Sequence, residues 1–186
     1  MLRQKLTNSI LRAAIIELAR EGYAGLTMEG VTRRAGVGKA ALYRRWSGKE
    51  DMIIEILLES KLVIIEAPNT GSLEGDVKQY LSEAAKMLRR PLSKKILPDL
   101  YSEMTRDTRL GHTIREQVQK PKNKCVIQIV EQAISRKEMA GDANYMLAYD
   151  LLAGPLYWHM LINQETADIE FVNRLVRVIT TALKVC

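Results

Sequence analysis

"TMEGVTRRAGVGKAALYRRWSGKE", residues 27–50, decides how the chain is read. Thr27 is suited to cap a helix, and Glu29 opposes the dipole of its first turn. That helix ends at Gly36, which supplies the positive φ of a tight turn. A second short helix follows over about 38–45. Two short helices around a glycine turn, in a basic segment, form a helix-turn-helix signature. Val31, Ala35, Val37 and Leu42 are small or branched, as close helix packing requires. With Leu42 toward the core, Lys39, Ala40, Ala41 and Arg44 face outward. Lys39 or Arg44 can donate to guanine O6 and N7, and alanine methyls can meet a thymine methyl. Tyr43, Arg45 and Lys49 lie toward the helix end, in reach of phosphates, which set register rather than sequence preference. Tyr43 divides equally between that role and packing. Trp46 reads as a wedge between helices before it reads as a DNA contact. Arg33 and Arg34 are either a solvated face or further DNA contacts. "SGKE" (47–50) reads as a capping box from Ser47 to Glu50, and the helix start it opens is a second phosphate site.

Charge agrees with this placement. The 186 residues carry a formal net charge of +6. Residues 1–50 hold ten Lys/Arg and four Asp/Glu, and the remainder holds 18 of each, so the whole excess lies in the N-terminal quarter. A nucleic-acid contact explains such asymmetry, and so does a solvated basic face. Hydrophobic residues make up 47%, enough for a folded core. No basic start followed by an apolar run marks a signal peptide, so a reducing cytoplasm is expected. Cys125 and Cys186 match no metal-ligand spacing, and no metal or cofactor is expected.

The rest of the chain follows helical periodicity. Ile10, Leu11, Ala14, Ile15 and Leu18 mark one face of a first helix that stops near Gly22. The fourth helix carries Met52, Ile53, Ile56, Leu57, Val63 and Ile64, and Pro68 ends it. Turn residues cluster at 67–76, the best boundary. A fifth helix carries Val77, Tyr80, Leu81, Ala84 and Leu88 and closes at Pro91. Helices over 92–106 and 109–137 are interrupted or kinked at Pro98 and Pro121. Asp142 is expected to cap a helix over 143–163, and Asp168 one over 168–184. The run 145–162 is long enough to raise the question of a membrane span, but Asp150, His159 and a Gly-Pro pair interrupt it. A helix apolar nearly all round suits burial against a second copy of itself.

Residues 22–53 resemble the DNA-binding domain of the TetR (tetracycline-repressor-type) family. The match rests on Gly22-Tyr23, Leu26-Thr27, Ala35-Gly36-Val37, Leu42-Tyr43, Trp46 and Lys49-Glu50 taken together. It extends over about residues 7–66, a third of the chain. "AGPLYWHML" and "FVNRLVRVI" are similar, more weakly, to the end of one ligand-domain subgroup. Gly38 departs from the family's Ser or Thr and withholds a hydroxyl. Thr32 stands where Ala is usual and adds one.

The resemblance implies an all-α fold of about nine helices. A three-helix helix-turn-helix DNA-binding domain spans 1–50, with helix four (about 48–66) connecting, and a ligand-binding and dimerisation domain spans 67–186. It implies Thr27, Thr32, Arg33, Gly38, Lys39, Ala40, Ala41, Tyr43, Arg44, Arg45 and Lys49 as the DNA-contacting set. It implies a homodimer through about 143–163 and 168–184 on a palindromic operator of double-stranded DNA. A small-molecule effector would release it. Pocket candidates are Tyr101, Met104, Tyr145, Tyr149, Trp158 and His159, each of which also reads as ordinary core. A ligand-released transcriptional repressor leads. A constitutive or architectural DNA-binding protein comes next, and an enzyme built on Cys125 and a histidine comes last. His112 is expected at the surface.

Overall fold

A computed structural model describes residues 2–59 and 66–186, with side chains for 6–58 and 66–186. Val63, Ile64 and the end of the fourth helix lie outside the described residues. Among the described residues the chain is all-α. The helices are α1 (Leu2–Gly25), α2 (Met28–Ala35), α3 (Lys39–Tyr43), α4 (Lys49–Glu59) and α5 (Leu73–Leu88), then α6 (Pro91–Met104), α7 (Arg109–Ile114), α8 (Lys120–Ser135), α9 (Tyr145–Tyr157) and α10 (Ile169–Leu183). A π-helical segment, Arg115–Gln119, joins α7 to α8, and another, Trp158–Ile162, extends α9. Counted without those internal junctions, the described residues hold nine continuous helices. Each π segment stands close to a proline, Pro121 or Pro155, where the regular hydrogen-bond ladder is already interrupted.

The helices collect into two compact units, Met1–Leu62 with Lys95–Val118, and Val63–Lys94 with Gln119–Cys186. In the first, α1 packs on α2 and α4, α2 on α3, and α4 on α7. Its centre is Ala14, Val31, Leu42, Met52 and Ile53, all at 0% exposure. Burying a side chain of the size of Val31 or Leu42 contributes about 1.5–3 kcal/mol. In the second, α5 packs on α8, α9 and α10, with α9 against both α8 and α10. Leu73, Val77, Leu81, Val126, Ile129, Val130, Ala148 and Leu152 form that core.

Caps and breaks fall mostly where the local chemistry puts them. α1 breaks at Gly22, with φ 69°. Thr27 caps α2 by accepting from Gly30 N, and Asp168 caps α10 by accepting from Phe171 N at 2.7 Å. Three expectations are corrected. Ser47 does not pair with Glu50: its hydroxyl and its N–H both go to Asp51, while Glu50 accepts from Leu110 N at 2.8 Å. Asn144, not Asp142, caps α9, because the loop turns once more before the first helical residue. Pro91 opens α6 rather than closing α5, at a position where a missing N–H costs nothing. No helix among the described residues is long and apolar enough to cross a membrane.

Candidate nucleic-acid interface

The α2–turn–α3 segment is built from short-range contacts. Gly36 at φ 67° and ψ 33° is left-handed, and its N–H closes on Thr32 O. Val37 N reaches Thr32 O as well, at 3.1 Å. Leu42, at 0% exposure, and Trp46, at 2%, anchor α3 and the turn after it in the core. Trp46 is therefore the wedge, and its indole N–H donates to Glu55 at 2.7 Å. With Leu42 turned inward, Lys39, Ala40, Tyr43 and Arg44 are exposed and Ala41 is half-buried. Tyr43, at 48% exposure, falls on the solvent side of the choice left open by the sequence.

The cations of this surface differ in how far they are committed. Arg33 and Arg44 are exposed and hold no acidic partner among the described residues. Lys39 lies 3.0 Å from Glu29, an exposed pair in which Glu29 keeps the lysine pKa above its ordinary value. Arg34 is held at 2.6 Å by Glu17, a carboxylate only 5% exposed. Arg45 is engaged on three sides, by Glu55, by Thr7 Oγ1 at 3.2 Å and by the Trp46 ring, 5.2 Å from its centroid. Lys49 donates to the Tyr23 and Ala24 carbonyls, at 2.7 and 3.1 Å, and sits over the Tyr23 ring. These two expected phosphate contacts are thus spent inside the unit. Arg45 bolts the end of α3 to α1 and α4, and Lys49 binds the carbonyls that follow the break in α1.

The polar non-charged candidates also separate. Thr27 is exposed, and its hydroxyl oxygen already serves the cap at 3.1 Å. Thr32 is buried, and its hydroxyl donates to Glu29 O at 2.8 Å, so it is turned away from any phosphate. Gly38 is an exposed N-cap residue without a side-chain cap, and a Cβ built there meets nothing within 4 Å. Space alone does not require glycine at that position. The start of α4 is also less suited to phosphate than expected. Asp51 occupies the place of an anion there, held below its usual pKa by the Ser47 hydroxyl and then by Arg109. A groove of about 410 Å³ runs beside α3, lined by Leu6, Thr7, Ile10, Ala41, Arg44, Arg45 and Trp46.

Of the six expected pocket residues, Tyr101 and Met104 belong to the first unit and the other four to the second. Tyr101 and Met104 are half-buried on α6, and burial pushes the Tyr101 phenol up from its ordinary pKa. Trp158 is 61% exposed and Tyr145 37%, so both stand on the outside of the second unit rather than lining its interior. Neighbouring Met146 and Leu147 are exposed as well. His159 stacks on Phe171 with centroids 3.9 Å apart, which ties it to α10. Tyr149 points to an internal partner, accepting from Gln119 Nε2 at 2.5 Å. A second groove, of about 590 Å³, lies between α4 and α7 and contains none of the six. His112 is exposed there, 2.8 Å from Asp107. Cys125 is buried and its thiol is pushed up to about 11, the opposite of an activated nucleophile. No group of three or more His, Cys, Asp or Glu among the described residues could hold a metal.

A basic helix-turn-helix on an all-α frame defines a transcriptional regulator, and comparison with known proteins agrees. Residues 10–56 match the family described as bacterial regulatory proteins, tetR family, and residues 67–179 match the tetracyclin repressor-like C-terminal domain. The chain belongs to the TetR family. It is 30% identical over 172 residues to the DNA-binding transcriptional repressor TetR of Mycobacteroides abscessus, covering 90% of this chain and 88% of that one. It is 25% identical over 168 residues to an uncharacterized HTH-type transcriptional regulator, YdeS, of Bacillus subtilis, covering 90% and 84%. In fold it is similar to Salmonella enterica GusR, with a TM-score of 0.76 at 17% identity over 98% of this chain and 96% of that one. The families and these relatives are regulators of transcription, not enzymes.

Proposed function

We propose that this regulator is a homodimeric repressor that reads a near-palindromic operator through α3 and is released by a small-molecule effector. The observation that carries the reading is the exposed Lys39–Ala40–Tyr43–Arg44 surface, fixed from behind by fully buried Leu42, in an N-terminal segment whose net charge of +6 equals that of the whole chain. Lys39 and Arg44 address base edges, Ala40 and Ala41 give clearance, and Gly38 lets the backbone approach. Thr27, Arg33 and Tyr43 take phosphates. Arg45, Lys49 and Thr32 hold the frame that aims them. In this reading residues 1–50 bind DNA, helix four connects, and residues 67–186 bind the effector and dimerise, in the cytoplasm. Met146, Leu147, Trp158, Ile169 and Val178 are exposed apolar side chains on α9, its π extension and α10, and pairing with a second copy would cover them. Two-fold protein symmetry then demands a two-fold operator with half-sites about 34–36 Å apart, or a multiple of this.

Glu29 competes with DNA for Lys39. Glu29→Gln is expected to raise operator affinity several-fold and to steepen its salt dependence by about one unit per half-site, measured by fluorescence anisotropy across a salt series. The effector is tested by screening for compounds that raise the melting temperature and weaken operator binding together, since a ligand shifts an equilibrium only through unequal affinity for the two states. A broad screen in which stabilising compounds leave DNA binding unchanged would favour a constitutive DNA-binding protein instead.

A further inference from the structure

Gln119, Lys122 and Asn123 stand at i, i+3 and i+4, on one face at the start of α8. Gln119 is the last residue of the π segment, and such insertions recur at functional sites. Its Nε2 is spent on the Tyr149 hydroxyl, which leaves Oε1 buried with no donor among the described residues. One turn on, Asn123 Oδ1 is buried in the same condition. Each such acceptor costs about 1–3 kcal/mol when nothing satisfies it. Gln132 Oε1 and Thr180 Oγ1 are also unpartnered, but Gln132 is more than two turns further along and Thr180 is on α10. Only Gln119 and Asn123 stand side by side. Lys122, between them in sequence, is brought down to about 8 by burial.

We propose that Gln119 Oε1 and Asn123 Oδ1 form the polar recognition point of the effector site, taking a small molecule with at least two hydrogen-bond donors of the hydroxyl or amide type. This rests on the reading of the protein as ligand-released. Polyhydroxylated arenes are the simplest members of that class. Two acceptors one helical turn apart also ask for donors some 5–6 Å apart, which a meta- or para-disubstituted ring supplies.

The test uses the full-length protein and an operator selected from random DNA. The probes are a panel of polyhydroxylated arenes including resorcinol and 3,5-dihydroxybenzoate, each beside its O-methyl ethers, with benzylamine as a probe with a single donor group. Hydroxylated members are expected to raise the melting temperature and release operator, and the ethers and benzylamine to do neither. Gln119→Met and Asn123→Leu are each expected to weaken the active probe by about tenfold or more. Without probe, Asn123→Leu is expected not to lower the melting temperature, because its Oδ1 has no donor to lose, whereas Gln119→Met gives up its bond to Tyr149; both are expected to keep wild-type operator affinity. A probe that binds and releases DNA equally well in both variants overturns this recognition point and leaves the repressor reading intact. A panel in which no member stabilises the protein and releases operator overturns both. A fall of several degrees in ligand-free Asn123→Leu also overturns the proposal, since it means that a structural water already occupies the acceptors.

Discussion

Arg136→Met is expected to lower the unfolding free energy by about 3–5 kcal/mol, the cost of stranding a buried charge. Asp76 has 0% exposure and accepts from Arg136 Nη2 at 2.6 Å, from Thr70 N at 2.6 Å and from Thr70 Oγ1 at 2.8 Å. Arg136 is the C-cap residue of α8, and its Nε donates to Glu138 at 2.7 Å. Glu138 in turn accepts from Leu73 N, the first residue of α5. The arginine therefore ties the end of one core helix to the start of another. Methionine preserves its apolar stem and removes both charge-assisted bonds. Unfolding followed by circular dichroism should show a melting temperature lower by roughly 10 °C for a chain of this length. The double variant Asp76→Asn/Arg136→Met should lose less than Arg136→Met alone, because it no longer strands a carboxylate. Burial works to raise the Glu138 pKa, but Arg136 and Leu73 N outweigh it and leave it below its ordinary 4.5. A depressed carboxylate stabilises the fold above its unfolded pKa, and that contribution is lost as pH falls through the folded value. The gap between wild type and Arg136→Met should accordingly narrow in acid.

Arg44→Ala is expected to lower operator affinity by at least about 30-fold in the dimer, since a bidentate contact to guanine contributes roughly 1–3 kcal/mol and two half-sites lose one each. The loss should fall on sequence preference, with one base position per half-site becoming permissive while binding to random DNA changes little. Arg45→Ala makes the control. Its guanidinium is held by Glu55, Thr7 and Trp46, so its removal should show first as lower stability. The two arginines are neighbours in sequence and differ in which way α3 turns them. Affinity for operator and random duplexes, measured beside thermal melting for both variants, separates the roles.

That pair also marks how much the sequence disclosed. Gly36, Thr27 and Leu42 were legible because a left-handed turn, a helix cap and a helix core position are set within a few residues. The position of α3 followed from them. The commitments of Lys49 to Tyr23 and Ala24, of Arg45 to Glu55, and of Glu50 to Leu110 were not legible. Each depends on a partner nine or more residues away, and a lysine aimed at a carbonyl reads the same as one aimed at a phosphate. The surroundings of the expected pocket residues were not legible for a related reason. Aromatic side chains at helical spacing suit an interior or an uncovered face equally, and only packing put Trp158 outside and Tyr149 against Gln119. The acceptors of Gln119 and Asn123 carried no sequence signal, because an amide lacking a partner is defined by everything around it.

In the proposed reading, two copies of this chain bind a two-fold operator through α3. A hydroxyl-radical footprint on an operator selected from random DNA tests it most directly. Two protected half-sites related by a dyad are expected, centred about 34–36 Å or a multiple of that apart, with two chains per duplex. A single asymmetric patch of protection, or a selection that yields no sequence bound better than random DNA at physiological salt, would contradict it.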